Sequence, residues 1–390
     1  MAKLGMPAVN IAFTEAGIEA VVRSKRGIAV LILEEDASTI TKLGKERTIG
    51  DEKLEALSNP FTVYTTDDIP PELSEDNKDY ILKALKGYVT TPYRVRIMLQ
   101  PKGAEGQSTA DKFDASLKKI MPERWDYLAI PTIEAAQKEK VATWVKTNRE
   151  NKFKKVKVIL PGHDADYEGV INFSNEFVTT AQKKYTGAEY TARIAGLICG
   201  TPMTISATYA PLPEVIDCDK YDIDENNDKV NAGEFFIWYD GEKYKMSRAI
   251  NSLVTTTQGK LEAYQTIKSV DIADMMYDDI KKTAEDSYIG KYTNDYDNKT
   301  LLITAITGYF KELEDGRLLL KGGSTIDIDI EAVKTWLLKN GKKTKEELAQ
   351  MTDLELKKAD TKKHVFLKAK VTILDAMEAV SYTHLTLPTN

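Results

Sequence analysis

Tyr127-Leu-Ala-Ile-Pro131 and Val156-Lys-Val-Ile-Leu160-Pro161-Gly162 are two short, largely apolar runs with a helix-spaced segment between them. Runs of this length, bounded by turn residues, read as strands buried in a core. Residues 133–149 place Val141, Trp144 and Val145 in helical register, and a second helix near 190–198 is stopped by Gly200 and Pro202. The order from 125 to 200 is therefore strand, helix, strand, helix, which favours an α/β sheet layered with helices.

Working outward toward the start, Gly27 opens another fully apolar run, Ile28-Ala-Val-Leu-Ile-Leu33. Ser74 can cap a helix lined by Ile81, Leu85, Tyr88 and Val89, and Tyr93, Val95, Ile97 and Leu99 alternate as a half-buried strand. A helix through 113–120 follows a loop at 101–108. Toward the end, Asp240-Gly241 predicts a two-residue hairpin turn between 235–239 and 243–246. Helices are expected at about 271–289 and 298–314, with Gly316 as a left-handed C-terminal cap. Thr325-Ile-Asp-Ile-Asp-Ile330 alternates and leads into a helix containing Val333, Trp336 and Leu337.

The two ends read differently. Val9, Ile11 and Phe13 share one face of a short strand, and Arg23, Lys25 and Arg26 follow as a basic cluster. Residues 1–22 thus look like an arm carrying one strand ahead of the first core strand; an edge strand of the chain's own sheet is the simpler alternative. Residues 364–374 form a strand in which Val365, Leu367, Ala369, Val371 and Ile373 alternate with His364, Phe366, Lys368, Lys370 and Thr372. Residues 380–390 resemble the translation of a sequencing adapter, so they are expected to be a non-native tail outside the fold.

The chain has 390 residues, 42% hydrophobic and 29% charged, with a net charge of −6. That is enough apolar content for real cores and argues against a disordered chain or a broad nucleic-acid binder. No apolar run approaches the ~18 residues of a membrane span, and the start lacks a signal-peptide core. Two cysteines, Cys199 and Cys218, make no disulfide scaffold. Charge is patchy: residues 134–159 carry eight basic and three acidic side chains, and residues 214–228 carry one basic and seven acidic. Residues 271–300 carry four basic and eight acidic, and residues 331–364 nine basic and six acidic. Solvated faces explain such patches, and so does packing against further copies of the chain.

Motifs for chemistry are missing. There is no dinucleotide fingerprint, P-loop, nucleophile elbow, H-E-x-x-H or C-x-x-C. Pro161-Gly-His163-Asp164-Ala-Asp166 follows a strand, where α/β enzymes place ligands. A strand-to-helix loop capped by Asp164 explains it more simply. Asp222-Ile-Asp224-Glu-Asn226-Asn227 begins like a calcium loop, but its sixth position is Asn227 and its twelfth is Gly233. An acidic surface loop is the expectation, with no metal and no cofactor.

Gly5-Met-Pro-Ala-Val-Asn-Ile-Ala-Phe13, with Val22-Arg-Ser-Lys-Arg-Gly27 and the apolar strand after it, resembles the N-terminus of contractile-tail sheath proteins. The likeness is to myovirus-type sheaths of Firmicutes phages, defective prophages and phage-tail-like bacteriocins, and extends to about residue 379. Ser247-Arg-Ala-Ile-Asn-Ser-Leu-Val-Thr255, residues 271–288, residues 298–320 and the 364–374 strand also resemble family segments. The resemblance implies a non-enzymatic structural protein of the virion tail, assembled in the bacterial cytoplasm. Its partners would be its own copies in stacked hexameric rings, the tail tube protein, the baseplate and tail terminator proteins, with no nucleic acid and no membrane anchor. It implies α/β and α+β architecture: a central layered α/β sheet domain, a C-terminal α+β assembly domain and extended terminal arms. The expected division is an arm at 1–22, an N-terminal α/β region at 23–124, a central domain at 125–265, an assembly domain at 266–379 and the tail at 380–390. Val9, Ile11 and Phe13 would enter a neighbouring subunit, and Val365, Leu367, Val371 and Ile373 would form the assembly strand. The competing reading is an α/β enzyme or ligand-binding protein with a site near His163.

Overall fold

A computed structural model describes residues 21, 23, 25–49, 52–103, 111–257 and 262–378. The described residues divide into two compact units, one of residues 25–270 with 376–378 and the other built on Asp271–Asp375.

The first unit is built on a seven-stranded sheet. In spatial order its strands are Glu234–Phe235, Val170–Phe173, Lys157–Pro161, Tyr127–Ala129, Ile28–Glu35, Arg94–Pro101 and Phe61–Val63. All neighbours are parallel except the last pair, where Phe61–Val63 runs antiparallel to Arg94–Pro101. The chain leaves Ile28–Glu35 for one side of it and then returns to the other, so the order reverses at this central strand.

Why the apolar run at 28–33 reads as continuous is visible in its packing. Ala29, Leu31 and Leu33 face one core, with Tyr80, Ile81 and Ala84 from the helix Glu75–Leu85 and Ile194 and Leu197 from the helix Gly187–Cys199. Ile28, Val30 and Ile32 face a second core, with Leu117 from Asp114–Ile120 and Val141 and Val145 from Ala135–Asn151. Period-two geometry sends alternate residues to opposite faces, and both faces are covered by helices. The result is the layered α/β domain expected from the sequence.

On the first of these faces two helices meet backbone to backbone. A Cβ built on Gly196 would lie 2.0 Å from the Ala84 carbonyl oxygen and 2.7 Å from its carbon. Backbone cannot swing aside as a side-chain tip can. Gly196→Ala gains ~1 kcal/mol of helix propensity but must overpack a rigid contact costing about 3 kcal/mol or more. We expect net destabilisation by about 2 kcal/mol, read as a lower urea midpoint; a raised midpoint would refute the close approach.

Several local expectations are corrected. The helix expected after Pro161 is absent: the chain loops from Lys157–Pro161 into the strand Val170–Phe173, so Asp164 caps nothing. Asp222 begins a helix, Ile223–Asn231, rather than a loop, and accepts from the Glu225 N–H at 2.8 Å in a capping box. The Asp-Gly hairpin joins Ile237–Tyr239 to Tyr244–Met246 through four residues, not two, because Asp240 Oδ1 accepts from the N–H groups of Glu242 and Lys243. Gly241 takes φ +100° there. Gly316 has φ −73°, and the left-handed residue is Arg317 at φ 57°.

In the second unit the helix Tyr296–Asp315 carries Ala305, Ile306, Tyr309, Phe310 and Leu313 on its buried side. A smaller core gathers Ile328, Val333, Leu337, Leu348 and Leu356 from short elements between 325 and 358.

Candidate assembly surface

The C-terminal strand lies in the second unit. Leu367–Lys370 pairs antiparallel with Thr325–Ile328 in the register Ile328↔Leu367, Asp327↔Lys368, Ile326↔Ala369 and Thr325↔Lys370. Ile326, Ile328, Leu367 and Ala369 therefore share the packed face, while Thr325, Asp327, Lys368 and Lys370 share the wet one. Asp327 sits opposite Lys368 and also pairs with Lys357. Opposite charges on the exposed face agree with the register that the apolar face requires.

The strand continues along a second segment after the ladder ends. The Leu320 N–H donates to the Thr372 carbonyl at 2.8 Å, and the Leu374 N–H to the Leu318 carbonyl at 2.9 Å. Ile373 thereby bridges Leu319. Residues 364–374 are thus one extended path in two hydrogen-bonded stretches rather than one continuous strand. Leu367, Val371 and Ile373 are half-buried along it, as their alternation predicts. Val365 departs from the pattern: it is 40% exposed, and Phe366 packs on the core in its place. The regular ladder begins only at Leu367, and the approach is fixed by Asn294 Nδ2 donating to the Lys362 and His364 carbonyls at 2.6 and 3.0 Å. His364 itself stacks near Phe366, ring centroids 6.1 Å apart.

This sheet has two strands among the described residues, so each offers one unpaired edge. An unpaired edge is a template for another strand, and Lys368 and Lys370 are the kind of charges that keep such an edge from pairing indiscriminately. Val9, Ile11 and Phe13 lie outside the described residues, as do residues 380–390.

The other candidate, His163, is a link in a loop. Its N–H donates to Asn172 Oδ1 at 2.8 Å and its Nε2 lies 3.5 Å from Glu139 Oε2. Burial lowers its pKa, opposed by the Glu139 charge. Asp166, at φ 43°, accepts from the N–H groups of Val254 and Thr255 at 2.7 and 2.8 Å. Those bonds hold its carboxyl below the usual range and spend it on fixing a turn. Among the described residues no group of three or more His, Cys, Asp or Glu side chains could hold a metal.

Sequence patterns missed what fills the switch point of the sheet. Lys112 Nζ stands 2.9 Å from Glu34 Oε2 and 3.6 Å from Glu134 Oε1, across the carboxyl end of the central strand. Folds with this strand order place ligands in that crevice; here an ammonium between two carboxylates occupies it. Three residues so far apart in the chain leave no local signature.

Residues 106–252 match the phage tail sheath protein central domain, and residues 260–384 match the phage tail sheath C-terminal domain. The chain is 35% identical over 378 residues to the tail sheath protein of Clostridium phage phiCD119, covering 97% of this chain and 98% of that one. The sheath tail protein Lin1278 of Listeria innocua shares the fold with a TM-score of 0.62 at 17% identity, over 82% of this chain and 90% of that one. The helical sheath of the anti-feeding prophage in its contracted state gives a TM-score of 0.61 at 12% identity, over the full length of both.

Proposed function

This chain belongs to the phage tail sheath protein family, and we propose on that premise how its copies are joined. The protein is a structural subunit of a contractile tail and self-assembles into a helical sheath. Its copies stack as hexameric rings around a tail tube, between baseplate and terminator proteins, and assemble in the host cytoplasm. The N-terminal arm, through Val9, Ile11 and Phe13, adds a strand to the open sheet of a neighbouring copy. The assembly strand, with Leu367, Val371 and Ile373 on its half-buried side and Val365 exposed ahead of its ladder, offers its open main-chain edge as the acceptor. Main-chain hydrogen bonds supply affinity in such an addition, and alternate side chains supply register. Shortening of the sheath draws on repacked contacts between rigid bodies, not on catalysis.

The observation that carries this reading is the two-stranded sheet whose outer edges are unpaired among the described residues, in a chain that matches a tail sheath protein over 97% of its length. Electron microscopy of the purified protein tests it. We expect striated tubes from the parent chain and from His163→Ala alike. Dispersed particles from the parent under all conditions, or loss of tubes in a folded His163→Ala chain, would reject it.

A further inference from the structure

Glu378 places its carboxylate in a cradle on the Lys25–Val270 unit. Oε1 accepts from Thr208 Oγ1 at 2.6 Å and lies 3.3 Å from Ser206 Oγ. Oε2 accepts from Arg248 Nε at 2.6 Å. The Ala249 N–H donates to Thr208 Oγ1 at 2.9 Å, and the Thr208 N–H donates to Ser206 Oγ at 3.1 Å. Ser206 Oγ and Thr208 Oγ1 are 2.8 Å apart.

The proton directions follow from the inventory of each group. A hydroxyl carries one proton and two acceptor sites, and an ionised carboxylate only accepts. Thr208 therefore aims its proton at Glu378. It receives the Ala249 N–H at one lone pair, and its other faces the Ser206 hydroxyl at the shorter of that oxygen's two distances. Backbone thus orients both hydroxyls, and Arg248 supplies the counter-charge at the second carboxylate oxygen. The Glu378 side chain is 16% exposed while Met377 beside it is 95% exposed. The acid docks and its apolar neighbour does not.

We propose that Ser206, Thr208 and Arg248 form a latch for an acidic residue on an extended segment, and that the unassembled subunit parks its own Glu378 there. The latch restrains the residues that follow the Leu367–Lys370 strand. Its consequence for assembly rests on the sheath reading: the segment must leave the cradle before it can engage a second copy.

A charge-swap series in the full chain tests this, using Arg248→Glu, Glu378→Arg and the double variant. Hydrogen exchange is followed by mass spectrometry on the monomeric fraction. Each single variant should exchange its 376–378 amides about fivefold faster, the size set by a partly exposed charge-assisted pair. The double variant should recover the parent rate. Unchanged exchange in the single variants, or a double variant as fast as the singles, overturns the latch. The single variants should also shorten the lag before tubes form. An unchanged lag alongside lost protection overturns the restraint on assembly. A parent chain that never forms tubes overturns the sheath reading instead, and the exchange data still decide whether the latch exists.

Discussion

Removal of residues 1–20 is expected to leave a soluble, folded chain that forms no tubes. Every strand of the seven-stranded sheet lies between Ile28 and Phe235, so the deletion takes none of them away. The Leu367–Lys370 ladder pairs with Thr325–Ile328 and likewise keeps its partner. What is lost is the strand of Val9, Ile11 and Phe13 that we assign to a neighbouring copy. The thermal midpoint should stay within about 4 °C of the parent, the shift that ~1 kcal/mol produces in a unit of 150–250 residues. Sheath formation should fall to nothing, because each copy loses its strand donor. Global unfolding of the truncated chain would show instead that the arm is a strand of its own subunit.

Asp126 carries the second large effect. It is 3% exposed, directly precedes the strand Tyr127–Ala129 and reaches across to the start of the neighbouring strand Ile28–Glu35. Its carboxylate accepts from the Gly27 and Ile28 N–H groups, both at 2.9 Å, and pairs with Arg26 Nη1 at 2.7 Å. Burial opposes its charge, but the Arg26 and Lys157 cations and the backbone donors outweigh burial and hold the pKa below its usual value. Asp126→Ala removes one partner from a buried ionic set and strands the buried Ile28 N–H and the half-buried Gly27 N–H. Such losses cost about 3–5 kcal/mol. A folded-state pKa that is depressed gives stability present above the unfolded value near 4 and lost as pH falls through the folded value. Urea midpoints should therefore separate parent and Asp126→Asn widely at pH 7 and converge below about pH 4. A gap that stays constant with pH would mean that the charge contributes nothing.

Legibility in the sequence followed how local each constraint was. The run at 28–33 announced a strand covered on both faces because both of its alternating sets are apolar. Leu367, Ala369, Val371 and Ile373 were readable because one face of their path packs and the other is wet. Where a backbone turn depends on which donors a side chain captures, pattern was not enough: Asp240 closes a four-residue turn by binding two N–H groups. Asp164 misled for a similar reason. A strand followed by Pro-Gly and two acids suits a capped helix, yet the chain turns there into another strand because Val170–Phe173 extends the sheet. The Lys112 bridge and the Glu378 cradle join residues far apart in the chain, and period-based reading has no access to such pairs.

The Glu378 cradle also fixes an order in time. Thr208 and Arg248 are made before Asp271–Asp375, and their carboxylate comes after it. At about 5–20 residues per second, ribosomes need on the order of 5–20 s to traverse that insert. A nascent chain therefore carries an empty cradle through all of that interval. The acid arrives when the second unit has already been synthesised, and a translation product truncated before Glu378 cannot close the cradle.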